Sequence, residues 1–151
     1  MAFKWLARLV PQASEEAENS NDLSRAIAVL MLEVAQSDFE ETEEETSVLV
    51  AGLAKYLGEN SHISQDLLAS ARDDKANSAG LYEFTRLACT EMSLADRCTL
   101  IEQLWGIAYA DGVIDKYEEA AIRKVSELLY VPHSAFVKAK LAAANATKKA
   151  P

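Results

Sequence analysis

The sequence predicts an all-α protein, a compact bundle of about seven helices built from two related helical hairpins. Three observations predict it. Apolar residues recur at three- and four-residue spacing along most of the chain, and alternating β-branched runs are absent. Proline is confined to Pro11, Pro132 and Pro151, and the 151 residues hold only five glycines, so helices meet few interruptions. The chain also repeats itself weakly: a shift of 73 residues places Ala35 on Ala108, Asp38 on Asp111, Thr42 on Asp115 and Glu45 on Glu118. Neither half can bury its apolar stripe alone, so the two hairpins are expected to share one core.

Each element has its own warrant. Residues 2–10 place Phe3, Leu6, Leu9 and Val10 on one side of a short amphipathic helix, with Trp5 beside them. That segment either docks on its own domain or anchors the chain to a membrane surface or partner. Residues 11–21 are rich in serine and glutamate and read as a polar linker. Residues 1–21 thus precede a helical domain over 22–144, and 145–151 form a flexible tail. From Asp22 to Gln36, Leu23, Ile27, Leu30, Met31 and Val34 keep helical spacing. A helix over Thr42–Leu57 follows, opened by a capping box of Thr42 with Glu45 and stopped at Gly58. "SHISQDLLASARDD" gives the next helix and "SAGLYEFTRLACTEM" the one after. Ser93 with Asp96 opens "LADRCTLIEQLWGIAYA". Asp115 with Glu118 opens another helix, which ends near Tyr130 ahead of Pro132, and "HSAFVKAKLAAANA" is the last.

Composition bounds the function. Half the residues are hydrophobic, enough for one domain with a real core. A net charge of −9 repels phosphate backbones, which argues against nucleic acid and leaves cations or basic protein surfaces as partners. Cys89 and Cys98, the only cysteines, have neither zinc-knuckle nor redox spacing and are expected as small residues packed on helices in a reducing cytoplasm. No apolar run approaches the roughly 20 residues that span a bilayer, and "MAFKWLARLV" leads into "PQASEEAENSN" without a cleavage site, so neither an integral membrane protein nor a signal peptide is expected. His62 and His133 precede helix starts, where they cap or hydrate a turn. With no nucleophile elbow, phosphate-binding glycine loop or His/Cys metal spacing, no enzyme is expected. Trp5, Tyr82, Phe84, Trp105 and Tyr109 read as helix-face packing.

The stretch "YADGVIDKYEE", residues 109–119, carries the one arrangement with chemical character. With Asp111 at position 5 of a calcium loop, Gly112 falls at 6, Asp115 at 9 and Glu118 at 12. Positions 1 and 3 become Ile107 and Tyr109, which bring no carboxylate, so a complete EF-hand is ruled out. Helix punctuation accounts for most of the same residues: Gly112 ends one helix, and Asp115 and Glu118 cap the next. Asp111 is the exception, because a carboxylate in a last turn faces the negative end of the helix dipole. Asp38 is its counterpart in the first half, within a run of seven carboxylates over residues 33–46 that reads mostly as a solvated face. If the two corners approach, Asp38, Glu45, Asp111, Asp115 and Glu118 share one divalent cation, calcium or magnesium. The rival is a metal-free module that docks a basic or membrane-bound partner through the acidic face or the N-terminal helix.

Residues 81–140 resemble the TerB-like proteins of bacteria, named for tellurite resistance. The marks are "LW..AYADG.ID.YEE" followed by "LLYV.HS.F...K", and Glu33, Asp38 and Glu45 stand at matching places of the first half. Phe39 and Thr42 depart from the glycine and acid usual there. The resemblance, over roughly residues 22–140, implies an all-α fold of about seven helices and an acidic patch that binds metal ions. It also implies a link to bacterial stress response and to membrane-associated tellurite-resistance systems. A related domain opens a DnaJ-type co-chaperone, but no "HPD" turn occurs here, so chaperone recruitment does not carry over.

Overall fold

The computed structural model describes residues 14–37, 43, 46–49, 51, 61–109 and 114–149, with side chains described within 22–37, 43, 46–49, 51, 65–109 and 114–146. Among the described residues six helices have defined bounds, in order α1 (Ser14–Ala35), α2 (Ser61–Ala76), α3 (Tyr82–Glu91), α4 (Leu94–Ala108), α5 (Lys116–Leu128) and α6 (His133–Lys149). Residues 46–49 are helical as well, and no strand occurs among the described residues. The fold is all-α, as its periodicity dictates. The expected helix over residues 2–10, and most of the one over Thr42–Leu57 with its Thr42, Glu45 and Gly58, lie outside the described residues.

Two boundaries differ from expectation. Residues 14–21 are not linker but about the first two turns of α1. Their serine and glutamates, Ser14, Glu15, Glu16 and Glu18, are poor core residues but suit the positive end of a helix, so polarity there marks a helix start and not a break. At the other end, α6 continues through residues 145–149, where Ala146 favours helix and Lys148 and Lys149 suit its negative end.

α1 is the axis of the bundle. Every residue from Ala26 to Leu32 is at most 2% exposed, so this stretch is buried all round and not along one stripe. It can be, because α2, α3, α4 and α5 all pack against α1. α6 packs instead on α4. The repeat appears in three dimensions: α2 rests on α1 as α6 rests on α4, and α1 and α4 end at Ala35 and Ala108. Ile27 and Leu100, Met31 and Leu104, Leu32 and Trp105, and Val34 and Ile107 are buried at matching positions.

Caps set the remaining corners. The Ser93 side chain accepts from the Asp96 amide at 3.1 Å and starts α4. α5 ends in a Schellman motif: the Val131 amide donates to the Ser126 carbonyl at 3.0 Å and the Tyr130 amide to the Glu127 carbonyl at 3.1 Å. This geometry puts Tyr130 at φ 55°, the left-handed region that glycine usually fills. Arg97 Nη1 on α4 donates to the Leu129 carbonyl, and the Cys89 thiol on α3 donates to that of Leu128 at 3.6 Å. Cys89 and Cys98 are free, half-buried and packed against the core.

Candidate functional site

The acidic corner is built where α4 hands over to α5. α4 closes with Ile107 and Ala108 buried, and the next residue, Tyr109, leans on Trp105 with ring centroids 6.3 Å apart. The chain re-enters description at Ile114 and Asp115, both half-buried. Asp115 is extended (φ −92°, ψ 168°), as a residue must be to turn its side chain back over a helix start. Its Oδ1 accepts the Glu118 amide at 2.8 Å, and Glu118 Oε1 accepts the Asp115 amide at 3.4 Å. This is the reciprocal capping box that the spacing predicts. Glu118 is only 3% exposed, a buried carboxylate at the positive end of α5.

Of the five residues assigned to a cation, the structure thus brings Asp115 and Glu118 together, and it does so as a cap. Asp38, Glu45 and Asp111 lie outside the described residues. Among the described residues no group of three or more His, Cys, Asp or Glu side chains could hold a metal ion. A calcium ion takes six to eight oxygens, and two carboxylates already spanning a helix start do not fit that need by themselves. The cap bond from the Glu118 amide uses Oδ1 of Asp115.

The first half answers the same problem differently. Residues 33–46 contain no base, yet Glu33 is not simply solvated. Lys75, from α2, lies 3.5 Å from Glu33 Oε2 and donates to Gln36 Oε1 at 2.9 Å, tying the end of α1 to the end of α2. The partner is 42 residues away in the chain, counting from Glu33 to Lys75, so local spacing carries no sign of it. Farther up α1, Arg25 forks onto Asp74, with Nε and Nη2 each 2.7 Å from a carboxylate oxygen. That hydrogen bonding holds the guanidinium above its ordinary basicity, against the opposing pull of burial.

The aromatic residues serve as packing. Trp105 is fully buried, meets Phe136 edge-on at 5.3 Å, and carries the Lys140 ammonium 5.3 Å above its ring. Lys140 also donates to Glu119 at 2.8 Å, and that bond is the main cause that lowers the Glu119 pKa. His133 is exposed and stacks on Phe136 at 5.9 Å, while the side chain of His62 lies outside the described residues.

A family model described as tellurite resistance protein TerB matches residues 24–141, from the second turn of the apolar part of α1 to the middle of α6. The chain belongs to the TerB family. No curated protein and no solved structure matches it. The TerB match spans both hairpins and the corner between α4 and α5, so the box of Asp115 and Glu118 is part of the TerB domain itself. TerB is not a known enzyme family. Among the described residues no helix is long and apolar enough to cross a membrane.

Proposed function

We propose that this TerB domain is a non-catalytic binding module of the bacterial cytoplasm, whose acidic surface is its working part and whose setting is stress response, including tellurite resistance. The observation that carries this reading is the capping box. Asp115 and Glu118, the two carboxylates nearest a metal-loop pattern, are committed to capping α5, with Glu118 buried, which suits a rigid support beneath the acidic surface better than an acid–base pair. With 24 carboxylates against 15 basic side chains, such a platform favours a basic partner surface, carried by a protein that is soluble or membrane-associated.

A divalent cation at the corner is the second reading, and the carboxylate of Asp115, of which the cap bond uses Oδ1, favours it. Calcium or magnesium there would bind weakly, on the order of 0.1–1 mM, because few ligands converge. Thermal melts of the domain in a chelator and in millimolar Ca²⁺ or Mg²⁺ separate the two readings. If the corner holds an ion, the melting temperature rises with ion concentration, and Asp111→Asn and Asp38→Asn each abolish the rise without adding to one another. A flat response at about 10 mM, well above that binding range, leaves the metal-free module.

A further inference from the structure

An open cleft of about 380 Å³ lies between α1, α2 and α3, lined by none of the described residues of the acidic corner. Arg25 on its wall stands ten residues before the end of α1 at Ala35, about 15 Å along the helix axis. The floor is apolar, formed by Phe84 and the half-buried Leu87 of α3. The rim is charged: Asp22 and Arg25 from α1, Asp74 from α2, and Glu83 from α3. These charges do not simply cancel. Arg25 and Asp74 saturate each other through two bonds of 2.7 Å. Asp22 makes a looser ion pair with the same guanidinium, 3.9 Å from Nη1, and is 58% exposed. Glu83 is exposed and accepts a hydroxyl bond from Ser78 Oγ at 2.6 Å. Among the described residues three carboxylates thus share one guanidinium, which leaves the rim with a net negative charge above an apolar floor.

We infer that this cleft binds an alkylammonium group, its aliphatic stem on Phe84 and Leu87 and its charged end between Asp22 and Glu83. An anion would meet three carboxylates and a guanidinium already engaged, and a neutral apolar ligand would strand the rim. A bare metal ion would leave the floor uncovered. A primary amine on a short chain satisfies both parts, as a polyamine or as a lysine side chain of another protein. The Arg25–Asp74 fork shapes the wall without offering a charge, and joins α1 to α2 so that the cleft keeps its form. The corner plays no part in this inference, which stands or falls apart from the cation reading.

The test is amide chemical-shift titration of the whole chain with n-hexylamine, with spermidine, with a short lysine-containing peptide, and with ammonium chloride at equal ionic strength. The alkylamines are expected to move the amides of Asp22, Glu83 and Leu87 at millimolar concentration, and ammonium is not. Glu83→Gln and Asp22→Asn are each expected to weaken binding about 3- to 10-fold, corresponding to loss of one partly exposed charge contact, while any cation response at the corner persists. Both residues are on the surface, so the variants keep the fold, which far-ultraviolet circular dichroism verifies. Stronger shifts with spermidine than with the peptide identify a free polyamine as the source, and the reverse order a protein lysine. The inference is overturned if none of the amines moves these amides at about 10 mM, tenfold above the expected range. It is equally overturned if ammonium reproduces the shifts, or if both charge variants bind hexylamine as well as the parent.

Discussion

The two halves of this domain bury matching positions but fasten their outer helices by different physics. In the first half, α2 is held to α1 by polar ties, the Arg25–Asp74 fork and the Lys75 bridge to Glu33 and Gln36. In the second half, α6 is held to α4 by an aromatic joint, with Phe136 against Trp105 and two cations, Arg123 and Lys140, over the rings. Position 32 is leucine where position 105 is tryptophan, and that single enlargement accounts for much of the difference. A buried tryptophan presents a ring face and edge that a neighbouring helix can grip, whereas a leucine leaves the grip to side chains at the helix borders. The repeat therefore conserves where the core is and not how it is closed.

The comparison breaks most visibly at the aromatic joint. Trp105→Ala removes a fully buried ring together with its contacts to Phe136, Tyr109 and Lys140. It is expected to cost about 3–5 kcal/mol, against about 2–5 for Leu32→Ala at the matching position. Urea unfolding of both variants measures the pair. Equal losses would mean that the two joints carry the same load despite their different chemistry.

The polar tie should be weaker. Arg25→Ala leaves Asp74 without its fork, at a site where the two side chains are 35% and 24% exposed. The expected loss is roughly 1–2 kcal/mol, between the values for exposed and buried pairs. Asp74→Ala and the double variant close a thermodynamic cycle, and a coupling energy near zero would show that the fork is geometry without energy.

How much of this was legible in the sequence follows from the range of each interaction. α4 and α5 start where Ser93 and Asp115 place them, because a cap is read within three residues. The repeat was legible too, since buried positions recur at a fixed shift. The start of α1 was not, because Ser14–Asn21 is polar enough to imitate a linker while its dipole chemistry favours a helix. The ties from Arg25 to Asp74 and from Lys75 to Glu33 were invisible, since they join residues on separate helices with no common periodicity. So was the cleft, which exists only once α1, α2 and α3 are together. The acidic corner was legible as a cap through Asp115 and Glu118, and the same two residues gave the metal pattern its appearance.

That double meaning sets the next effect in size. Asp115→Ala removes the side-chain acceptor of the Glu118 amide and is expected to cost about 0.5–2 kcal/mol in chelator, where no ion contributes. An unchanged melting point would remove the capping account and return both carboxylates to the cation reading. Tyr130 offers a change of opposite sign. Its left-handed backbone is strained for any residue with a side chain, and it is 78% exposed, so little packing compensates. Tyr130→Gly is expected to raise stability by up to about 1 kcal/mol, after allowing for the greater freedom of glycine in the unfolded chain. A loss of stability on chemical denaturation would instead assign the tyrosine ring a contact that its exposure does not suggest.

The smallest expected effect tests whether the second half has any ionic tie of its own. Glu119 and Lys140 join α5 to α6 at 2.8 Å, with Arg123 at the edge of range at 4.0 Å. The hydrogen bond from Lys140 lowers the Glu119 pKa below its ordinary value, with burial acting in the opposite sense. A group with a depressed folded pKa stabilises the native state above its unfolded pKa and loses that contribution as pH falls through the folded value. The side chains are 35% and 37% exposed, so solvent screens the pair and its worth at neutral pH should be only about 0.2–1 kcal/mol. Glu119→Gln should therefore be slightly less stable than the parent at pH 7, and the difference should shrink as pH drops below about 4.3, the ordinary glutamate value. Salt should shrink it as well. The same substitution leaves Trp105 and Phe136 packed, so the aromatic joint is unaffected. If the difference instead persists unchanged into acid, Glu119 contributes through its methylenes and the closure of the second half is apolar throughout.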